Sequence, residues 1–280
     1  MIVTQGLTKY YGRLAALWKL DLNISAGEIF GFIGPNGAGK TTTMRILATL
    51  LAPTAGSASI NGIDVARHGS KVRRIIGYMP DFMGVYDDLK VFEYLEFFAA
   101  AFRIRREHRR SIIDGVLELT DLQAKRTSLV DSLSRGMQQR LQLARVLIHD
   151  PKVLILDEPA SGLDPRARIE IRELLCELKD MGKTIMISSH ILSEIQQMCD
   201  RAVILAEGRV RAEGSLERLL EREGYVRVTL KARIEDKEQV LSALDSAGLR
   251  VESIEADSVG LDTLFLRVIG RNVAGGESSV

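Results

Sequence analysis

Cysteine is scarce in this chain, since Cys176 and Cys199 are the only two among 280 residues. Two cysteines are too few for a disulfide framework or a cysteine-based metal cluster. Cys176 falls on the apolar face of a predicted helix and Cys199 just before a predicted strand, so we expect both to be buried as small hydrophobic side chains. Such usage is typical of a reducing compartment such as the cytoplasm. The four histidines are scattered and predict no metal site of their own.

Neither sign of charge dominates, because 38 Lys and Arg residues stand against 37 Asp and Glu residues, for a formal net charge of +1. That balance disfavours a protein covered with basic patches for nucleic acid. Long apolar runs are also missing, and none approaches the roughly 18 residues of a membrane span. Residues 1–6 lack the layout of a signal peptide. We therefore expect any membrane role to depend on a separate membrane protein.

A glycine-rich segment at residues 34–41 fits the pattern G-x-x-x-x-G-K-[ST]. A buried strand is predicted before it and a helix after it, which is the context this phosphate-binding motif requires. Its glycines let successive backbone N–H groups face inward, where they cradle anionic oxygens together with the helix N-terminus. Lys40 supplies a positive charge for the β- and γ-phosphates, and Thr41 supplies a hydroxyl ligand for Mg²⁺. The candidate nucleotide-binding residues of the segment are Gly34, Pro35, Asn36, Gly37, Ala38, Gly39, Lys40 and Thr41.

Two carboxylates, Asp157 and Glu158, follow the apolar run at residues 153–156. An all-apolar run is typical of a parallel strand covered on both faces, and such a strand delivers its C-terminal residues to the crevice where ligands bind. Asp157 is positioned to orient Mg²⁺, and Glu158 is positioned to polarise a water for attack on the γ-phosphate. Without the phosphate loop, the same residues would be interpreted as a charged turn.

A second anion-binding element is predicted at the start of a helix over residues 134–149. Ser134 suits an N-cap position. Its hydroxyl, the amide of Gly136 and the helix dipole together favour an anion. A helix start of this kind means little by itself. Because this helix directly precedes the strand that carries Asp157, the order of motifs supports an anion-binding role for its start.

Strands that alternate with helices predict an α/β fold with a mainly parallel sheet. Residues 1–222 are predicted to form the first domain, with a helical subdomain at about 90–130 and an antiparallel β subdomain, where Asn61-Gly62 marks a hairpin. A β-α-β-β pattern at 223–269 predicts a small C-terminal α+β accessory domain. We expect the tail, 270–280, to be disordered.

Together these motifs resemble those of the ATP-binding cassette (ABC) ATPase family, over roughly residues 1–224. The phosphate loop matches the Walker A motif of the family, which Thr42 extends, and residues 153–158 match its Walker B motif. Residues 133–138 resemble the signature motif, and residues 161–164 resemble the D-loop. The resemblance implies a P-loop cassette fold and an ATPase that uses ATP and Mg²⁺.

The resemblance also implies roles for residues that the pattern alone leaves open. Glu158 becomes the general base, and His190, at the position of the switch histidine of the family, steadies the γ-phosphate and the water. Tyr11 falls where the family stacks an aromatic ring on adenine, with Tyr10 as the alternative. Asp81 stands where a glutamine is usual, and its shorter, charged side chain is a candidate ligand for Mg²⁺.

The signature of this chain departs from the Leu-Ser-Gly-Gly-Gln of the family. Arg135 and Met137 replace a glycine and a glutamine, whereas Ser134 and Gly136 retain the essential contacts. In the family two cassettes pack head to tail, so that each ATP lies between one chain's Walker A and the other chain's signature. The resemblance therefore implies a second cassette as partner, as a homodimer.

A separate transmembrane permease is the second partner that the resemblance implies, docked at the helical insert. The C-terminal extension resembles that of ATPases from two-gene drug and polysaccharide exporters. We therefore expect an exporter ATPase that lies peripherally on the cytoplasmic face of the cell membrane and binds no nucleic acid.

Two other functions remain possible interpretations of the sequence. A soluble ABC ATPase acting on ribosomes or nucleic acid usually has two cassettes or a long coiled-coil insertion, and neither is found here. A scaffold that binds ATP without cleaving it is disfavoured by intact Asp157, Glu158 and His190. The basic run at 103–110 is most simply a solvated helix face or loop.

Overall fold

The computed structural model describes residues 1–81, 88–189, 191–220 and 237–246. The chain divides into two compact units, residues 1–220 and 221–280. His190, the predicted tail and most of the predicted accessory domain lie outside the described residues. The β-α-β-β arrangement of that domain therefore stays a prediction.

Strands and helices alternate through the first unit. The strands are β1 (Ile2–Tyr11), β2 (Leu14–Ile24), β3 (Ile29–Ile33), β4 (Ala55–Ile60), β5 (Ile63–Asp64), β6 (Ile76–Met79), β7 (Val153–Asp157), β8 (Thr184–Ser189), β9 (Arg201–Ala206) and β10 (Arg209–Ser215). The helices are α1 (Lys40–Leu47), α2 (Gly69–Val72), α3 (Val91–Ala101), α4 (Arg106–Leu119), α5 (Arg135–Leu147), α6 (Pro165–Asp180), α7 (Leu192–Met198), α8 (Leu216–Leu220) and, in the second unit, α9 (Lys237–Ser246).

The larger sheet has the strand order β10-β9-β3-β8-β7-β6. All neighbouring pairs in it are parallel except β9 and β10, which confirms the predicted mainly parallel sheet. Every residue of β7 and β8 is buried, as expected for strands covered on both faces. The carboxyl ends of β3, β8 and β7 consequently lie side by side at one edge of the sheet.

The smaller sheet is antiparallel, with the order β2-β1-β4-β5. The turn between β4 and β5 has positive φ at both Asn61 and Gly62, at 51° and 74°, which is the conformation that a tight two-residue hairpin requires. Apolar residues of this sheet share one core with β3 and α1, including Leu17, Phe32 and Met44. The antiparallel sheet is therefore packed beside the phosphate loop.

The helical insert consists of α3, α4 and a 3₁₀ turn at Gln123–Lys125. Apolar residues at helical spacing begin only at Ile112, whereas α4 begins at Arg106 with turns of charged residues that face water. The side chains of Arg105 and Arg110 are 81% and 80% exposed. Arg109 instead pairs with Glu96 of α3 at 2.9 Å. This arrangement fits a solvated helix face.

The two cysteines differ in their surroundings. Cys199 is buried as predicted, and burial, with a smaller contribution from Asp200, raises the pKa of its thiol to about 12. Cys176 is only half-buried and packs against the edge of the core, so the predicted burial is partial for this residue. It lies on α6, one residue after the buried Leu175, where the helix surface turns toward solvent. Because its pKa is raised so far, the thiol of Cys199 stays protonated at neutral pH.

No helix within the described residues combines the length and the apolar character that crossing a bilayer would require.

His149 connects the helical insert to the parallel sheet. Its ring stacks on Phe102, which follows α3, with centroids 3.9 Å apart and planes within 7°. Its Nε2 lies 2.8 Å from the carbonyl oxygen of Ile76, to which it donates a hydrogen bond in the Nε2–H tautomer. Burial lowers the pKa of His149, and Lys183 acts in the same direction, whereas the Ile76 carbonyl and Asp150 oppose the shift. The folded protein therefore favours the neutral ring.

We expect this pKa to make the stability of the protein depend on pH. Because the pKa of His149 is lower in the folded chain, the unfolded chain binds more protons once the pH falls through about 6.5. The free energy of unfolding should therefore decrease between about pH 7 and pH 5. Urea unfolding of His149→Phe, which keeps a ring on Phe102 but cannot titrate, should give a shallower decrease. Equal slopes for both proteins would contradict the prediction.

Candidate nucleotide site

A cleft of about 520 Å³ opens where the carboxyl ends of β3 and β7 meet the start of α1. It contains most of the residues that the sequence predicted for nucleotide and metal binding: Tyr11, Asn36, Gly37, Ala38, Gly39, Lys40, Thr41, Thr42, Asp81, Asp157 and Glu158. Its other lining residues were not predicted: Leu14, Ala15, Ala16 and Glu207. Three of these four belong to β2, so the antiparallel sheet forms one wall of the cleft.

The loop at residues 34–41 needs glycine at specific positions. Gly37 and Gly39 have φ of 80° and 104°, in the region that favours glycine. A Cβ on Gly39 would lie 2.7 Å from the carbonyl oxygen of Ala16, and one on Gly34 would lie 2.3 Å from that of Leu205. Both contacts are backbone, so neither neighbour can move aside easily. The loop is therefore held in its curved shape by close approach to β2 and β9.

Lys40 is the first residue of α1, and its side chain is buried against the loop. Its Nζ donates hydrogen bonds to the carbonyl oxygens of Gly34, at 2.6 Å, and Pro35, at 3.3 Å. These two residues do not line the cleft themselves, but their carbonyls hold the ammonium group at its edge. The positive charge and the N-terminus of α1 thus lie together, which favours an anion.

Asp157 and Glu158 are joined through Ser188, at the end of β8. The Ser188 hydroxyl donates to Asp157 Oδ1 at 2.6 Å and accepts from the backbone N–H of Glu158 at 3.0 Å. Asp157 and Ser188 are direct register partners on neighbouring strands. Sequence reasoning missed this serine, although a polar residue at the end of an apolar strand was the available signal.

The second carboxylate oxygen of Asp157, Oδ2, is buried and has no hydrogen-bond partner among the described residues. A buried oxygen without a partner is costly unless an ion or an ordered water satisfies it. Burial raises the pKa of the neighbouring Tyr78, and the negative charge of Asp157 adds to that shift. Both observations place a buried negative charge beside the cleft, where a cation is favoured.

Glu158 adopts φ of 52°, an unusual conformation for a residue with a long side chain. Strained backbone of this kind concentrates at active sites, where neighbouring structure maintains it. The hydrogen bond from its N–H to Ser188 and the bond from Ser161 N–H to its carbonyl oxygen, at 3.0 Å, hold the turn. Glu158 consequently lines the cleft beside Asp157.

The two aromatic candidates, Tyr10 and Tyr11, point to different places. Tyr11 lines the cleft, and 47% of its surface is exposed. Tyr10 packs edge-on against Trp18, with centroids 6.0 Å apart and planes at 88°. Of the two, Tyr11 is the one with a ring available to a ligand in the cleft.

Ser134 and Gly136 do not line the cleft. Ser134 caps α5, and its hydroxyl accepts from the N–H of Met137 at 3.3 Å. Gly136 lies close to α6, where a Cβ on it would be 3.1 Å from the Cβ of Ala167. The start of α5, for which the sequence predicted anion binding, therefore lies outside the cleft that contains the start of α1.

Comparison with known proteins identifies the family. The ABC transporter family model matches residues 17–161. The bacitracin transport ATP-binding protein BcrA of Bacillus licheniformis is 43% identical over 79% of this chain and 72% of its own length. The Nod factor export ATP-binding protein I of Burkholderia orbicola is 40% identical over 78% of this chain and 72% of its own length. An uncharacterized ABC transporter ATP-binding protein of Synechocystis is 38% identical over 80% of this chain, which spans 63% of that relative.

Solved structures agree with this assignment. An ATP-binding subunit of an ABC transporter matches with a TM-score of 0.70 and 28% identity, and the alignment covers 96% of this chain and 99% of that one. A dimeric ATP-binding cassette in a post-hydrolysis state, bound to ADP and Pi, matches with a TM-score of 0.70 and 29% identity over 77% of this chain and 99% of that chain. The chain therefore belongs to the ABC transporter family, as an ATP-binding subunit that hydrolyses ATP.

Proposed function

We propose that this chain is the ATPase subunit of an exporter and that two copies close head to tail around two ATP molecules. The observation that carries the proposal is the separation of the two anion-binding ends, because the cleft contains Lys40 and Glu158 but neither Ser134 nor Gly136. A two-fold pair would supply each cleft with the α5 end of the other copy. Dimeric forms of similar cassettes support this arrangement.

In the proposed site the phosphates bind the N–H groups of residues 36–41 and the ammonium group of Lys40. The ring of Tyr11 stacks on adenine, and the hydroxyl of Ser134 and the N–H of Gly136 from the second copy contact the γ-phosphate. This arrangement surrounds the γ-phosphate with donors from two copies. Binding of ATP therefore drives the copies together, and loss of the γ-phosphate releases them.

The residues around Asp157 fit a magnesium ion. The buried Oδ2 of Asp157 lacks a hydrogen-bond partner in the described part of the chain, and the Thr41 hydroxyl and the Asp81 carboxylate belong to the same cleft. Mg²⁺ takes few protein ligands and completes its shell with phosphate oxygens and water. We assign Thr41 and Asp157 to this ion, with Asp81 as a third candidate. When bound with the nucleotide, Mg²⁺ neutralises charge on the phosphate oxygens.

Glu158 acts as general base in this proposal. Its carboxylate accepts a proton from the water that attacks the γ-phosphate. The water oxygen forms a bond to the γ-phosphorus while the bond from that phosphorus to the β–γ bridging oxygen breaks, so that ADP leaves and inorganic phosphate is formed. Ser188 maintains the position of Glu158 relative to Asp157, because one hydroxyl bonds to both residues. His190 steadies the γ-phosphate and the water.

The membrane partner is proposed to dock on the helical insert, and the chain to lie at the cytoplasmic face of the membrane. Phe97 and Phe102, on and just after α3, are 51% and 41% exposed, so the insert presents apolar surface that a partner can cover. The functions named for two relatives, bacitracin transport and Nod factor export, support an exporter. The arginines at positions 105, 109 and 110 each pair with an acidic side chain. Because their charge is neutralised in this way, they do not favour the alternative, a nucleic-acid partner.

Mixing two defective variants tests the composite site. Lys40→Met removes the Walker A charge, and Ser134→Asp keeps an N-cap residue but repels phosphate. Each variant alone should lack ATP hydrolysis, since both of its sites are defective. An equimolar mixture should regain about a quarter of wild-type activity, because half of the dimers are mixed and each contains one intact site. Activity of the mixture no greater than the mean of the two variants would contradict the proposal, and Ser134→Asn serves as the uncharged control.

We expect Tyr11→Ala to weaken ATP binding by about 5- to 150-fold, because stacking on a base contributes about 1–3 kcal/mol. The matched control is Tyr10→Ala. It removes the contact with Trp18 and should lower the melting temperature, while the Kd for ATP stays unchanged. Titration with a fluorescent ATP analogue measures both. Equal effects of the two substitutions on the Kd would rule out the stacking role of Tyr11.

A further inference from the structure

The side chain of Arg135, which replaces a glycine of the family signature, lies against Gly162 of the D-loop. A Cβ on Gly162 would be 2.4 Å from Cζ and Nη2 of Arg135 and 2.6 Å from its Nη1. Nearly equal distances to three atoms of one plane mean that the guanidinium faces the Gly162 α-carbon. Because any side chain at 162 would occupy this space, glycine is required for the contact.

A second contact joins the same two segments. Gly136, the residue after Arg135, approaches Ala167 so closely that a Cβ would be 3.1 Å from the Ala167 Cβ. Ala167 in turn donates its N–H to Asp164 Oδ1 at 2.9 Å, at the N-cap of α6. Two consecutive residues at the start of α5 therefore pack on residues 162–167.

Helix stability does not explain an arginine at this position. Arg135 is the first residue of α5 and is exposed to solvent. A cation at a helix N-terminus opposes the helix dipole, which favours acidic residues there. The flat guanidinium also differs from a lysine ammonium, because it can stack on a neighbouring surface. Its contact with Gly162 accounts for the residue type at 135, whereas the glycine at 162 is favoured both by this contact and by its φ of 69°.

We infer that Arg135 is a positioning residue that couples the signature segment to the D-loop, so that both segments reach the second copy as one unit. The inference rests on the proposed function, in which the start of α5 contacts the nucleotide of the other copy. When Ser134 moves toward the γ-phosphate, the contact with Gly162 carries residues 161–164 along. Arg135 then affects the rate at which the closed dimer hydrolyses ATP, and it does not affect the affinity of a single cleft for ATP.

A double-mutant cycle on the kcat for ATP hydrolysis tests the coupling. Arg135→Ala should lower kcat by about three- to tenfold, the range of mutations that weaken coupling between sites, with KM within about twofold of wild type. Gly162→Ala displaces the flexible guanidinium and breaks the same contact. Gly162→Ala should therefore lower kcat at least threefold more in the wild-type protein than in the Arg135→Ala variant. In that variant the contact is already lost, and only the backbone strain at φ of 69° remains. A difference below threefold overturns the inference.

Arg135→Lys separates charge from stacking. It retains the cation but lacks the planar face, so we expect its kcat to match that of Arg135→Ala. Wild-type kcat in Arg135→Lys would overturn the inference, since charge alone would then suffice. Size-exclusion chromatography of Glu158→Gln with ATP and Mg²⁺ distinguishes failure of the proposed function from failure of the inference about Arg135. Failure to dimerise contradicts the proposed function, whereas a dimer together with an additive cycle contradicts only the role of Arg135.

Discussion

Glu158→Gln is expected to reduce the kcat for ATP hydrolysis by about 100-fold or more, because a positioned general base contributes about 10²- to 10⁴-fold to such reactions. Glutamine has the same length and the same backbone preferences, so the strained φ of 52° and the hydrogen bond to Ser188 should persist. It cannot accept the proton of the attacking water. ATP binding should therefore remain, while turnover stops.

The same variant should accumulate a dimer in the presence of ATP and Mg²⁺, because the closed pair is no longer released by hydrolysis. A steady-state phosphate-release assay measures the loss of kcat, and size-exclusion chromatography with light scattering measures the dimer. Glu177→Gln, an exposed carboxylate on α6, is the matched control and should behave as wild type. Unchanged hydrolysis in Glu158→Gln would eliminate this residue as the base.

Lys40→Met is expected to weaken ATP binding by about 10- to 150-fold, because a hydrogen bond to a charged partner contributes about 1.5–3 kcal/mol. Methionine fills the buried space of the lysine stem, so the loop keeps its packing. The loop amides remain, which is why binding is weakened and not eliminated. Lys40→Arg, the charge-conserving control, should also bind weakly, because its bulkier planar head does not fit between Gly34 and Pro35.

Thermal unfolding provides an independent measure of this loss. At an ATP concentration about 100 times the wild-type Kd, binding adds about 2.7 kcal/mol to the free energy of unfolding. A Kd about 100-fold weaker leaves about 0.4 kcal/mol of that stabilisation. The rise in melting temperature on adding ATP should therefore nearly vanish in Lys40→Met. A rise as large as that of the wild type would refute the assignment of Lys40 to the phosphates.

Much of the architecture was predictable from the order of apolar runs and glycine turns. The apolar run before Asp157 indicated a parallel strand covered on both faces, and β7 is fully buried in such a sheet. Asn61-Gly62 indicated a hairpin, and β4 and β5 pair around it. The start of α4 could not be predicted in this way, because its first turns carry charged residues and no apolar period.

Contacts between distant segments could not be predicted either. Ser188 is separated from Asp157 by a helix, and they meet only because β7 and β8 are neighbours in register. Tyr10 and Tyr11 are adjacent in sequence, and the alternation of β1 directs only Tyr11 to the cleft. The pairing of Arg135 with Gly162 depends on how the start of α5 packs beside α6.

The sequence by itself determined the phosphate loop, the acidic end of its partner strand and the cassette family, because these depend on short motifs whose backbone geometry is set by nearby residues. The tertiary structure decided which side chains share the cleft, which tyrosine faces it and that Ser134 lies elsewhere. The physical reason is that strand order and helix packing bring together residues far apart in the chain. Local propensity has no influence on such long-range contacts.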